Sequence, residues 1–177
     1  MKWKENFNLL TKFPIIELDP SPNKQSPTTP HYNIKKMDTL KYFTISEMLA
    51  SKTAKQNNID NNPTDEKILA HIQYTLTQLD KIRERYGRPI TIKSGYRCPI
   101  LNKLVGGVPN SAHQIGYAAD IVGYSNSKLF YLIKDMMSSG EIEVDQLIWE
   151  KGTKTSPAWV HVSFDESRKR GQIIYKL

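Results

Sequence analysis

The sequence predicts an α+β fold in which a small antiparallel sheet carries helices packed on one side. Two observations favour this class over a doubly wound sheet. Helical patterns come mostly in the first part of the chain, and two alternating strands near its end are joined by a short loop. A doubly wound sheet would instead alternate strands and helices throughout. At 177 residues the chain suits one domain with an appended tail, and it is long enough to bury a sizeable core.

Residues 1–38 are predicted to form a weakly structured arm. The stretch DPSPNKQSPTTPHYN carries four prolines among Ser, Thr and Asn, which resist helix and interrupt strand ladders. FPIIEL can add one edge strand, and His31 of this arm is not expected to be a metal ligand. The ordered domain is therefore predicted over residues 39–177.

Two helices are predicted at the start of this domain. Thr44 and Glu47 form a capping box at the beginning of the first helix. An Asn-rich loop, KQNNIDNNPTDE, follows. The second helix runs from about Thr64 to Tyr86, and Gly87 is placed to end it. Its apolar residues recur at steps of three and four, as in an amphipathic helix: Ile68, Leu69, Ile72, Leu76, Leu79 and Ile82.

The middle of the chain predicts alternating short elements. RPITIKSGYR is a β-branched strand that enters a turn, and CPILNKLVGG allows two helical turns with Pro99 at the first position. AADIV is a buried strand. SNSKLFYLIKDMMSSG is a third amphipathic helix that ends at Gly140.

The end of the chain predicts a hairpin and a last edge strand. EVDQLIWE and AWVHVSF alternate apolar and polar residues, and the seven residues KGTKTSP join them. GQIIYKL can add an edge strand.

Composition bounds the partners of the protein. The net charge of +7 and a pI of about 9.4 favour acidic partners. Nucleic acid is not expected, because the sequence has no helix-turn-helix, aromatic RNA motif or zinc-finger spacing. The single cysteine, Cys98, rules out an internal disulfide. No apolar run is long enough for a membrane span, and the first 20 residues lack the apolar core of a signal peptide.

Polar residues inside otherwise apolar strands point to a site. His161 lies between Val160 and Val162, and Asp120 lies in AADIV, where an unpaired carboxylate would be costly to bury. A divalent cation satisfies imidazole and carboxylate together, and two histidines with one carboxylate form a common catalytic zinc set that leaves a position for water. A His–Asp hydrogen bond in the core is the alternative that the spacing leaves open.

The segment SGYRCPILNKLVGGVPNSAHQIGYAADI resembles the zinc D-alanyl-D-alanine carboxypeptidases and their relatives, the L-alanyl-D-glutamate endopeptidases, the D-Ala-D-Ala dipeptidases and the hedgehog signalling domain. The shared pattern is S-G-Y-R, N, V-G-G, S-x-H-x-x-G-x-A-x-D-I and a late W-x-H, over roughly residues 42–164. The resemblance implies a hedgehog-like fold and one zinc ion bound by His113, Asp120 and His161.

The resemblance also assigns roles to two polar residues outside the ligand set. Arg97 matches the family arginine that engages the substrate carboxylate or the scissile carbonyl, although a structural salt bridge is its alternative. Ser111 matches a serine that either donates a hydrogen bond to substrate or forms a turn. Gly95, Gly106, Gly107 and Gly116 are expected to serve tight turns rather than chemistry.

The general base departs from the family pattern. Many members carry Asp or Glu three residues before the last histidine, where this chain has Ala158. Glu150 is the favoured substitute: if it pairs with Trp159 across the hairpin, it lies diagonal to His161 on the same face, about 7–8 Å away. A one-residue slip would turn it to the other face. Asp145 is the weaker candidate.

These residues imply a zinc metallopeptidase that hydrolyses peptidoglycan stem peptides, as a carboxypeptidase or an endopeptidase. Trp159 and Trp149 can line a substrate groove or belong to the core. The alternative function is a non-catalytic, zinc-containing domain that binds cell wall or forms part of a phage or secretion assembly. For either function, the net positive charge of the protein would favour binding to an anionic cell wall. Without a recognisable signal peptide, the protein is expected to be made in the cytoplasm and to act at the cell wall. A phage endolysin released through a holin and a virion-borne module are two examples of this route.

Overall fold

A computed structural model describes residues 39–177, and the predictions for the arm, including His31 and the FPIIEL strand, lie outside them. The α+β class is confirmed: helices and a five-stranded sheet share one hydrophobic core. In chain order the elements are α1 Ile45–Leu49, α2 Lys52–Gln56, α3 Glu66–Tyr86, β1 Ile90–Ser94, α4 Pro99–Leu104, a 3-10 helix Ala112–Ile115, β2 Ala118–Gly123, α5 Asn126–Ser138, β3 Gln146–Glu150, β4 Trp159–Ser163 and β5 Gln172–Lys176.

Side chains cap the helices where the sequence indicated. Thr44 and Glu47 form the predicted capping box of α1. Asp65 caps α3, which begins slightly later than predicted and ends at Gly87 in the left-handed conformation (φ 68°). The short α2 was not predicted, because its five residues carry no apolar periodicity and it depends on a cap from Ser51. Within residues 39–177, no helix is both long and apolar enough to cross a membrane.

The strands lie in the order β1-β2-β4-β3-β5. The first three pairings are antiparallel, whereas β5 runs parallel to β3, so the sheet is mixed. The prediction of an edge strand at the end of the chain is therefore correct, but its direction differs from the wholly antiparallel sheet expected. The parallel direction of β5 follows from the position at which β4 ends. Ser163 lies opposite Gln146, the first residue of β3, and the short connection that follows brings β5 in at that same end.

The two faces of the sheet differ in character because strand residues alternate between them. One face, here called the core face, carries apolar side chains that join the core residues of α3 and α5: Ala119, Ile121, Leu147, Trp149, Val160 and Val162. The opposite face, here called the metal face, carries Asp120 and His161 in register, with Ile148 and Glu150 beside them on β3. Packing of the helices on one side is thus as expected, and it leaves the other side for the polar residues.

Candidate metal centre

Three side chains from separate elements converge on the metal face. His113 comes from the 3-10 helix, Asp120 from β2 and His161 from β4. His113 Nε2 lies 3.2 Å from His161 Nδ1 and 3.4 Å from Asp120 Oδ1, and His161 Nδ1 lies 2.9 Å from that same oxygen. Among residues 39–177, these three form the only group of His, Cys, Asp and Glu side chains whose ligand atoms are close enough to hold a metal ion.

Backbone pairing and a single glycine bring the three residues together. Asp120 lies directly opposite His161 in the β2–β4 ladder, so the two side chains leave the sheet on the same face. Gly116 ends the 3-10 helix at φ 80° and turns the chain from His113 back into β2. A Cβ at this glycine would lie 2.9 Å from the backbone oxygen of Ile68, so the turn requires glycine on two grounds.

The orientation of His113 is fixed by the backbone of Gly95. His113 Nδ1 lies 2.7 Å from the Gly95 carbonyl oxygen, and only a protonated Nδ1 can donate to that acceptor. Nε2 therefore carries the lone pair that faces Asp120 and His161, the arrangement by which proteins orient histidine ligands. Gly95 itself serves close packing rather than the expected tight turn, because a Cβ there would collide with the backbone of Met48.

The protonation states suit a divalent cation. Burial lowers the pKa of the His113 imidazole, against the opposing pull of Asp120. Burial opposes ionisation of Asp120, but the neighbouring histidines outweigh it and hold the pKa of this carboxyl well below its ordinary value. A neutral imidazole and an ionised carboxylate are the forms that bind metal. Two imidazole nitrogens and one carboxylate oxygen therefore fit a catalytic transition-metal site.

Arg97 is held against the candidate ligands by two contacts. Its Nη2 lies 2.5 Å from Asp120 Oδ2, and its Nε donates to Ser94 Oγ at 2.8 Å. Ser94 is itself opposite Asp120 in the β1–β2 ladder. The two oxygens of Asp120 are thus divided, with Oδ2 bound to Arg97 and Oδ1 facing the histidines. The structure forms the salt bridge that was the alternative for Arg97, and its contact with substrate stays a prediction.

Ser111 lies at the N-cap of the 3-10 helix. Its Oγ accepts a hydrogen bond from the backbone N–H of His113 at 3.4 Å. Of the two roles considered for this serine, the structure contains the turn contact. Its hydrogen bond to a substrate stays a prediction.

Glu150 lies where the hairpin register was expected to place it. It is opposite Trp159, and Ile148 is opposite His161, so Glu150 and His161 share the metal face. Its Oε1 accepts a hydrogen bond from Lys176 Nζ at 2.8 Å, across the parallel β3–β5 pairing. The sequence does not single out Lys176, because no local pattern reveals which strand a parallel edge strand joins.

Asp145, the weaker candidate for the base, is buried at the start of β3. Arg170 donates to both of its carboxylate oxygens, at 2.6 and 2.7 Å. The pair ties the connection after β4 to the beginning of β3, which is a structural contact.

The two strand tryptophans separate onto opposite faces. Trp149 is fully buried on the core face, with its ring centre 5.2 Å from that of Phe130. Trp159 is only partly buried and lies on the metal face, two residues before His161. Trp149 thus belongs to the core, and Trp159 is the one that borders the site.

Comparison with known proteins assigns the chain to a family. Residues 41–163 match the family described as Peptidase M15, and this span contains every side chain of the candidate centre. The L-Ala D-Glu endopeptidase ChiX of Serratia marcescens is a similar solved structure, with 14% identity over 58% of this chain and 80% of that chain. The TM-score of the two structures is 0.30. No curated protein matches the sequence significantly. The chain belongs to the peptidase M15 family and is a metallopeptidase.

Proposed function

We propose that this protein is a zinc-dependent peptidase that hydrolyses peptidoglycan stem peptides, as a D-Ala-D-Ala carboxypeptidase or as a murein endopeptidase. The observation that carries the proposal is the convergence of His113 Nε2, Asp120 Oδ1 and His161 Nδ1 within 3.4 Å of one another, on the face that the helices leave open. Membership of the peptidase M15 family and the motifs shared with cell-wall peptidases support the substrate class.

His113, Asp120 and His161 would hold one zinc ion in this arrangement. Zinc, when bound, would polarise the scissile carbonyl and make a water molecule acidic enough to react near neutral pH. Gly95 would keep His113 in the required tautomer, and Arg97 would keep Oδ2 of Asp120 occupied so that Oδ1 faces the ion.

Glu150 is the proposed general base. Because Lys176 binds Oε1, the other carboxylate oxygen, Oε2, would accept the proton of the attacking water. The same proton would pass to the leaving amine as the amide C–N bond breaks. Lys176 would keep the Glu150 side chain turned along the sheet.

Arg97 is the proposed stabiliser of negative charge that develops on the substrate. Its side chain is 16% exposed and lies against Asp120, so an oxyanion next to the metal would face the guanidinium. Ser111 and Trp159 are the proposed contacts to the rest of the substrate. The surplus of basic residues fits action at an anionic cell wall.

One observation favours a second candidate function. Ala158 stands where many relatives have the base, and Glu150 is engaged with Lys176. A domain that binds zinc and cell wall without cleaving it would tolerate both features.

Incubation of zinc-loaded protein with purified peptidoglycan separates the two candidates. The peptidase hypothesis expects new amino groups and released peptides, whose masses identify the bond cleaved. His161→Ala and Glu150→Gln should each abolish release, and Glu150→Gln should keep the bound zinc. A wild-type protein that holds one zinc and cosediments with peptidoglycan, but releases nothing, would instead support the binding domain.

A further inference from the structure

The metal face continues beyond the ligands to a tryptophan flanked by two lysines. Trp159 lies on the same face of β4 as His161, two residues away, and its ring is partly exposed. The ring centre is 5.8 Å from Lys93 Nζ and 5.5 Å from Lys151 Nζ. We call Trp159, Lys93 and Lys151 the lysine–tryptophan subsite.

Alternation places Lys93 on this face, one residue after Ile92, and a β-bulge brings Ser94 to the same face. Ile92 pairs with Ile121 and Ser94 pairs with Asp120, which leaves Lys93 as the extra residue between them. In such a bulge two residues oppose one, and the bulge re-aims their side chains. Strict alternation would turn either Lys93 or Ser94 toward the helices. The bulge instead lets Ser94 reach Arg97 while Lys93 reaches the Trp159 ring.

Lys151 has an uncommon backbone conformation. This residue follows β3 with φ 53°, a left-handed conformation that is uncommon for a residue other than glycine. Its backbone N–H donates to the Lys176 carbonyl oxygen at 2.6 Å, which anchors the turn to β5. The two ammonium groups thus reach a single ring from either side of Trp159, one from β1 and one from the left-handed residue that follows β3.

The two lysines of the subsite have no carboxylate partner in the part of the chain that the structure describes. Within residues 39–177, neither Lys93 nor Lys151 forms an ion pair, and the acidic groups that share the metal face are already engaged. Asp120 is paired with Arg97, and Glu150 is paired with Lys176. Two ammonium groups beside one ring create a positive potential there, and an anion bound at the exposed part of the ring would be attracted by both. The exposed ring offers an apolar surface for the carbon atoms that carry such an anion.

We propose that the lysine–tryptophan subsite binds a carboxylate of the peptide substrate and selects peptides that carry one near the scissile amide. The proposal rests on the proposed function, because it takes the substrate to be a stem peptide. Two residues along a strand span about 7 Å, which is the length of about two residues of an extended peptide. The carboxylate therefore belongs one or two residues from the bond at the metal centre.

Binding to the metal-free protein tests the subsite separately from catalysis. The probes are a synthetic stem pentapeptide with free carboxylates and the same peptide fully amidated, titrated in a calorimeter in the presence of a chelator. Wild-type protein should bind the free acid about tenfold more tightly, as expected for two partly solvated ion pairs. Peptides amidated only at the C-terminus, or only at the internal carboxyl, identify which carboxylate is bound.

Variants assign the preference to the lysines. K93Q/K151Q should bind both peptides alike, whereas K93R/K151R should keep the preference because the charges remain. Lys128→Gln, on α5 and facing away from the metal face, is the matched control and should behave as wild type. Equal binding of both peptides by wild-type protein, or an unchanged preference in K93Q/K151Q, would overturn the subsite. A wild-type preference in a protein that hydrolyses no peptidoglycan would overturn the proposed function and leave the subsite standing.

Discussion

The core face and the metal face of the sheet hold their side chains in different ways. On the core face Trp149, Val160 and Val162 are buried by close packing against apolar neighbours. On the metal face Asp120 and His161 are buried too, but hydrogen bonds and ion pairs satisfy them. The difference follows from the cost of burying an unpaired polar group, which apolar contacts cannot offset.

The two faces nevertheless depend on each other through strand register. A slip of one residue in β4 would bring Val160 or Val162 to the metal face and send His161 into the core. The apolar side chains therefore specify the position of a ligand that they do not touch. We expect substitutions on the metal face to change function first, and substitutions on the core face to change the free energy of unfolding first.

Loss of a ligand should have the largest effect. His161→Ala should weaken metal binding by more than about a hundredfold, since loss of an outer partner alone costs 10–100-fold. Peptidase activity should vanish, and the free energy of unfolding of the metal-free protein should fall by about 1–3 kcal/mol, because Asp120 Oδ1 loses a hydrogen-bond partner. Competition with a chelator and denaturant unfolding measure the two quantities.

The matched control for this variant is His71→Ala. His71 contacts the Ile115 carbonyl oxygen at 2.8 Å and stacks on Tyr117, but it lies outside the ligand set. It should keep metal affinity within about tenfold, the low end of an outer-partner effect. Wild-type affinity in His161→Ala would contradict the assignment of the ligands.

A cavity on the core face should give the next largest effect. Trp149→Ala should lower the free energy of unfolding by about 3–5 kcal/mol, because it empties a fully buried site among aromatic rings. Trp159→Ala, on the metal face, should cost less than about 1 kcal/mol. Urea denaturation compares them, and equal losses would mean that the two faces do not differ as described.

A buried ion pair at the sheet edge should have an intermediate, pH-dependent effect. Burial opposes ionisation of Asp145, but the hydrogen bonds from Arg170 outweigh it and lower the pKa of the carboxyl below its ordinary value. The pair's contribution to stability is then complete above the unfolded-state pKa of about 4, and it disappears as the pH falls through the lower folded-state value.

Asp145→Asn should therefore destabilise the protein by about 2 kcal/mol at neutral pH, since Arg170 is partly solvated. The difference from wild type should shrink as the pH is lowered from about 5 toward about 2. Thermal unfolding across this range measures it. Asp135→Asn, an exposed carboxylate on α5, serves as the control. A difference that does not depend on pH would show that the ion pair is not its source.

The smallest effect is expected at the cap of the 3-10 helix. Ser111→Ala should lower the free energy of unfolding by about 1 kcal/mol, as loss of an N-cap does. Because Ser111 is also a proposed contact to substrate, the value of kcat/KM on a synthetic stem peptide should fall by more than about tenfold. A value within about threefold of wild type would show that the serine acts only on the turn.

Local patterns in the sequence were enough to predict the hairpin and to single out the three candidate ligands that the structure brings together. Alternation in EVDQLIWE and AWVHVSF predicted the strands, and the pairing of Glu150 with Trp159 was one of two registers left open, which the structure contains. His113, Asp120 and His161 could be singled out because polar residues within apolar strands need partners, and because the surrounding motifs resemble a known family.

Contacts between distant segments could not be predicted in this way. The parallel direction of β5, and with it the Lys176–Glu150 ion pair, depends on where β4 ends in three dimensions. The bulge at Lys93 is equally hidden, because alternation assigns one residue to each step of a strand. The sequence also does not reveal that Oδ2 of Asp120 contacts Arg97 while Oδ1 faces the two histidines, because these contacts depend on the positions of all four side chains.

The contact between Gly95 and α1 sets a limit on how far the chain can be shortened. The Gly95 carbonyl orients His113, and its Cα rests against the backbone of Met48, while Tyr96 N–H donates to the Met48 carbonyl oxygen at 2.7 Å. A fragment that begins after residue 49 would lose this support, and the His113 side chain would no longer be held in place. Any minimal active fragment or fusion partner junction must therefore leave α1 and its cap at Thr44 intact.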